Sequence, residues 1–218
     1  MTPLRIVETR GGEADMSGNR WATLLADESE PETPTAVAID HEPGVEVLRG
    51  SPAPQPGLTA PAQGDRLGTV EVSTRGPWWV GVHGGAGEST MADLLGGDAS
   101  GHRWPLTADN AQRPLVVLVA RQNARGLDAA ARAARDWAAG SWPGVDLLGL
   151  VIIAAAPGKV PKHLRSRTRI VAGGVPRTWM VPWIESLHLT GEATDLPRSC
   201  SSVLTDLSEA VEEMKERN

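Results

Sequence analysis

WWVGVHGGAGESTMADLL, residues 78–95, decides how the rest of the chain is read. An apolar stretch, Trp78–Val82, runs into a glycine-rich turn. Ser89 and Thr90 then open a segment with small and apolar residues at helical spacing as far as Leu95. Strand, glycines and helix-opening hydroxyls come in the order of a phosphate-binding loop, in which backbone amides surround the anion and the glycines let the chain come close to it. Such a loop normally carries a lysine after its last glycine, for charge, and a hydroxyl next to it, for magnesium. Here Glu88 holds the lysine's position.

Working outward, Leu115–Val119 is an uninterrupted apolar run whose β-branched content predicts a buried strand. Gly126–Ala139 is alanine-rich, with Leu127, Ala130, Ala134 and Trp137 along one helical stripe. Leu147–Ala155 reads as a third strand, Pro161–Val171 as a basic helix and Thr178–Val181 as a fourth strand. Ser202–Lys215 reads as an amphipathic helix with Val203, Leu207, Val211 and Met214 on its buried line. Strands apolar throughout and separated by helices imply a mostly parallel sheet covered on both sides. The expected fold is a small three-layer α/β sandwich with four or five strands.

Residues 1–75 differ in kind. Pro31, Pro34, Pro43, Pro52, Pro54, Pro56 and Pro61 punctuate them, and they hold twelve acidic against six basic side chains. Their expected state is an acidic, largely disordered tail, with Trp21–Leu25 or Thr69–Val72 as pieces able to dock. The expected domain then spans residues 76–190, with a linker and the C-terminal helix over 191–218. The tail accounts for the whole net charge of −6, because the remainder is balanced. No apolar run is long enough for a membrane span. Cys200 is the single cysteine, which excludes an intrachain disulfide and points to a reducing cytoplasm. Eight Trp with no Phe or Tyr means that Trp78, Trp79, Trp137, Trp142, Trp179 and Trp183 supply bulk to the core or its interfaces.

HGGAGEST, residues 83–90, resembles the deviant Walker A loop of the partition and septum-site ATPases, the ParA/MinD family, whose pattern is Lys-Gly-Gly-x-Gly-Lys-Ser/Thr. Gly84, Gly85, Gly87, Ser89 and Thr90 match, Ala86 takes the free position, and His83 and Glu88 replace the two lysines. RPLVVLVARQNARGLDAA, VDLLGLVIIAAAP and RTWMVPW look like later core segments of that family. The resemblance implies a P-loop NTPase-like fold with ATP as the ligand to test at residues 83–90. Its departures imply loss of hydrolysis. Two unit charges about 4 Å apart interact by roughly 4 kcal/mol at an effective dielectric of about 20, so exchanging Lys for Glu sets several kcal/mol against a phosphate. Neither LVVLV nor LLGLVII ends in a carboxylate that would hold magnesium. HGGAGEST followed by VAGGVPR-x-W-x-VPW also looks like an uncharacterised actinobacterial family that accompanies conjugative and other mobile elements. That likeness implies an accessory role in DNA transfer or maintenance, as a binding or scaffolding protein with a protein partner.

Other readings stay open beside it. The turn is also compatible with a ligand-free strand-to-helix connection in which Glu88 faces the positive helix end. An ATP switch with its phosphate charge relocated to Arg121 or Arg125 is the alternative within the same family. His83 beside Glu88 admits acid–base work, but a loop histidine bonded to a carbonyl is the plainer account. A dinucleotide fingerprint lacks its third glycine, and Ser89 sits in no G-x-S-x-G elbow. His41, His102, His163 and His188 have no metal-ligand spacing. From Leu147 to Ile184 there is no Asp or Glu, while Lys159, Lys162, Arg165, Arg167, Arg169 and Arg177 fall there. That stretch is a solvated basic face, a contact for nucleic acid or another anion, or a surface for the acidic tail to cover.

Overall fold

The computed structural model describes residues 47–108, 112–194 and 196–216. Its strands are β1 (Val47–Arg49), β2 (Gly68–Val72), β3 (Trp78–Gly81), β4 (Asp98–Gly101), β5 (Arg103–Thr107), β6 (Leu115–Arg121), β7 (Asp146–Ile153) and β8 (Arg177–Val181). Its α-helices are α1 (Glu88–Leu95), α2 (Ala124–Ala138), α3 (Lys162–Ala172), α4 (Glu185–Leu189) and α5 (Arg198–Glu216). Six strands form one sheet in the order β1-β8-β7-β6-β3-β4, and β2 pairs with β5 in a separate ribbon. Every neighbouring pair is parallel except β1 with β8. The chain is thus α/β with a mostly parallel sheet and five helices among the described residues.

Alternation along the central strand explains why both faces are covered. Leu115, Val117 and Val119 of β6 enter one core with Met91 of α1 and Cys200 and Leu207 of α5. Val116, Leu118 and Ala120 enter the other, with Leu127, Ala130 and Trp137 of α2 and Val171 of α3. Apolar on both faces, this strand needs helices on both sides. Asn123 starts α2 two residues earlier than its alanine stripe suggests, its side chain accepting the Gly126 N–H at 2.8 Å. Trp79, Trp104 and Trp179 are fully buried. Trp79 donates to the Gly96 carbonyl at 2.8 Å and Trp179 to the Asp206 carboxylate at 2.6 Å, which pins α5 to β8.

The four strands expected from apolar runs, β3, β6, β7 and β8, lie where those runs place them, but the strand count is higher than expected. β4 (DASG) and β5 (RWPLT) have no continuous apolar run, and β1 is three residues long, so neither length nor period marked them. The expected acidic, largely disordered tail over residues 1–75 needs correction from Val47 onward, while Thr69–Val72 docks onto the domain as expected. β1 extends the main sheet, β2 pairs with β5, and the proline-rich stretch between them lies along α2 and α3. Gln55 N–H donates to the Ala138 carbonyl at 2.7 Å, Ser51 N–H to Gly173 at 3.1 Å, and Arg135 to Thr59 at 2.8 Å. Proline has no amide donor to satisfy, so such a segment can pack with few backbone bonds. Residues 1–46, with Trp21–Leu25 and His41, lie outside the described residues.

A strand-to-helix loop closed by its own carboxylate

The sheet presents the C-terminal ends of β3, β6, β7 and β8 along one edge, the usual place for ligands in open α/β sheets. β3 ends at Gly81, and the chain turns through Val82–Gly87 into α1. Gly87 has φ 103°, where only glycine is relaxed, and a side-chain carbon on it would fall 2.7 Å from Ile153 Cδ1. Gly85 has φ 71°. These two glycines therefore set the path of the turn, and Gly84, with neither constraint, adds freedom of approach.

Glu88 opens α1, and its carboxylate turns back toward the loop. Gly87 N–H donates to Glu88 Oε2 at 3.1 Å. The carboxyl group rests on Gly81: a side-chain carbon built there would meet Glu88 Oε2 at 2.5 Å. Ala86 N–H is also committed, to the His83 carbonyl at 3.2 Å. Two amides of the kind that would face a phosphate are thus used inside the loop, one of them by a negative charge.

His83 supplies no compensating charge. Its Nδ1 lies 2.9 Å from the Gly84 carbonyl, and its Nε2 lies 3.1 Å from the Arg121 N–H. A carbonyl can only accept and an amide can only donate, so the ring carries its proton on Nδ1 and is neutral. Gly126 must be glycine for this contact: a side-chain carbon would fall 2.9 Å from His83 Nε2 and 2.2 Å from the Arg121 carbonyl. Ser89 is exposed, and Thr90 faces a hollow of about 370 Å³ between α1 and Ile184 that Arg121 also lines.

Arg121, the last residue of β6, crosses toward the loop. Its Nη1 donates to the Ala154 carbonyl at 3.1 Å and its Nε reaches the Gly85 carbonyl at 3.5 Å. Arg125, the second residue of the next helix, lines an open hollow of about 410 Å³ with His83, Gly85 and Arg121. His102 carries no local sequence signal that ties it to the loop, yet its Nδ1 donates to the Gly81 carbonyl at 2.8 Å. It lies between β4 and β5, the two strands the sequence pattern did not mark.

The basic segment lies on the same edge but apart from the loop. Lys159, Lys162, Arg165 and Arg169 are exposed, with Leu164, Thr168 and Val171 turned inward on α3. Arg167 is paired with Asp128 of α2 and is not a free contact. Among the described residues, no group of three or more His, Cys, Asp or Glu side chains is placed to hold a metal ion. No helix there is long and apolar enough to cross a membrane.

Residues 75–204 match a family of unknown function, DUF6668, over more than half of the chain and the whole of the loop region. No curated protein and no solved structure matches.

Proposed function

The chain belongs to that family of unknown function, and we propose that it is a degenerate P-loop-like protein, without hydrolysis, that works as a binding or scaffolding accessory. One observation carries this reading: the Glu88 carboxylate takes the Gly87 N–H from inside the loop. An incoming phosphate has to displace that carboxylate and then sit beside its charge. Neutral His83 offers no offset, and the strand ends flanking the loop, Arg121 and Ile153, bring no carboxylate for magnesium. An accessory role in DNA transfer or maintenance, implied by the resemblance of HGGAGEST and VAGGVPR-x-W-x-VPW to an actinobacterial family, is part of this proposal.

Calorimetric titration with ATP and magnesium tests the reading. The unaltered chain is expected to give no saturable heat. Glu88→Lys removes the internal anion and restores a cation, so binding is expected to appear, and Gly87→Val on that background is expected to abolish it. ATP turnover by the unaltered chain at ordinary enzyme rates would overturn the proposal.

A second reading has its own support in Arg121, whose guanidinium already reaches the Gly85 carbonyl. In it the chain is an ATP-binding switch with relocated phosphate charge. Saturable binding by the unaltered chain, lost in both Arg121→Ala and Gly87→Val, selects this reading over the first. Nucleic acid is a further candidate partner through Lys159, Lys162, Arg165 and Arg169. It predicts salt-sensitive DNA retention that falls when Lys162, Arg165 and Arg169 become Ala.

A further inference from the structure

A further hollow on the sheet edge lies away from the loop. It measures about 490 Å³ and lies between the ends of β7 and β8 on one side and α3 on the other. The sequence makes it by omission. β7 runs out into Ala154, Ala155, Ala156, Pro157 and Gly158, none of which can reach across to α3. β8 runs out into Pro182 and Trp183, whose ring forms a wall. That wall is fixed: Trp183 Nε1 donates to Glu185 Oε2 at 2.5 Å, and the ring lies 4.8 Å from His188.

The remaining lining is apolar with one polar corner. Met180, Val181 and Val160 line it, and Gln122 sits at the inner end, its amide donating to Thr168 Oγ1 at 3.3 Å. Arg165 and Arg169, one turn apart on α3, stand at the rim. Neither guanidinium has an ion-pair or hydrogen-bond partner among the described residues. No acidic side chain lines the cavity. A concave, mostly apolar site with a few convergent polar groups is what small-molecule sites look like, and the volume falls in their usual range of roughly 300–1,000 Å³.

We propose that this cavity binds a small amphiphilic anion, an apolar or aromatic body seated against Trp183 and Met180 with one carboxylate, sulfonate or phosphate held by Arg165 and Arg169. Guanidinium forks suit planar oxyanions and give the site its charge preference. Gln122 provides a polar contact at the inner end. A metal-bound polyphosphate does not fit, because nothing in the lining would hold its cation. The site is independent of the Glu88 loop and stands or falls separately from it.

The test uses the full chain and two fluorescent probes, 8-anilinonaphthalene-1-sulfonate and its uncharged counterpart N-phenyl-1-naphthylamine. Saturable one-site binding of the sulfonate is expected, with the uncharged body weaker by roughly tenfold, the size of one charge-assisted contact. Arg165→Ala with Arg169→Ala is expected to bring the sulfonate down to the affinity of the uncharged probe and leave the latter unchanged. Ala154→Leu narrows the cavity and is expected to weaken both probes; its far-ultraviolet circular dichroism and Tm establish that it is folded. Glu88→Lys is expected to change neither affinity. Absence of saturable sulfonate binding overturns the proposal. So does sulfonate binding that survives the double arginine change, whose two positions are exposed and carry no folding risk.

Discussion

At the scale of single residues, Glu88 was visible in the sequence as a reversed charge, but its conformation was not. Whether a helix-opening carboxylate points to solvent or folds back depends on the space beside it. That space exists because Gly81, seven residues earlier, has no side chain. The same holds for His83: its identity was plain, while its neutral state follows from an amide of Arg121 that only the fold brings near. The first contact closes across a turn and the second joins residues 38 apart in sequence, so neither is read from residue identity alone. Gly81→Ala tests the arrangement. The new methyl meets the flexible end of Glu88, which can move, so the stability change is expected to stay within about 1 kcal/mol. The carboxylate, however, has to leave the Gly87 N–H. The Gly87 amide resonance in a nitrogen–proton correlation spectrum is expected to shift, while strand resonances of β7 and β8 keep their positions. An unmoved Gly87 signal would mean that the carboxylate does not close the loop in solution.

At the scale of elements, strands were legible where burial is two-sided and illegible where it is not. β6 and β7 are apolar at nearly every position, and their burial leaves none of Leu115–Ala120 exposed. β2 and β5 form a two-stranded ribbon whose outward residues, such as Glu71 and Arg103, break any apolar run. β7 also contains a feature that periodicity misses. Val116 and Val117 of β6 face Leu147 and Gly149, so β7 carries one extra residue. Leu147, Leu150 and Ile152 therefore share one core, although strict alternation would put Leu147 opposite the other two. Gly149 sits at this irregularity under β8, where a side-chain carbon would fall 2.2 Å from the Arg177 carbonyl and 2.7 Å from the Trp179 ring. Backbone and a buried indole cannot give way as a glutamate can. Gly149→Ala is expected to cost about 3 kcal/mol or more in urea unfolding, at the upper end for overpacking. Gly84→Ala, with nothing within 4 Å, is expected to cost under about 1 kcal/mol. Equal costs at the two sites would contradict the packing described for β7.

At the scale of the whole molecule, α5 closes the second core, and Cys200 in its first turn reports on that closure. The thiol is fully buried among Trp179, Val203 and Leu204, and burial alone raises its pKa above the ordinary value of 9.0. The sign of the linkage follows. In the folded chain the thiol keeps its proton to higher pH than in the unfolded chain, where it ionises near 9.0. Its contribution is therefore fully present below pH 9 and is lost as pH climbs from there through the raised folded value. Stability measured in urea at pH 8 is expected to exceed that at pH 10, and Cys200→Ala is expected to flatten this part of the profile, beyond any constant loss from the smaller side chain. Alkylation gives an independent reading. Only the thiolate reacts, and here it is both suppressed and sealed under α5, so modification by iodoacetamide at pH 8 is expected to require opening of the helix. The rate is then expected to rise with sub-denaturing urea and to fall below that of a free cysteine by orders of magnitude. Trp179 and Asp206 link the same helix to β8, so Asp206→Ala, which leaves the indole N–H without its acceptor, is expected to accelerate alkylation. Rapid, urea-independent labelling of the unaltered chain would show instead that α5 stands away from the sheet and that the second core is open.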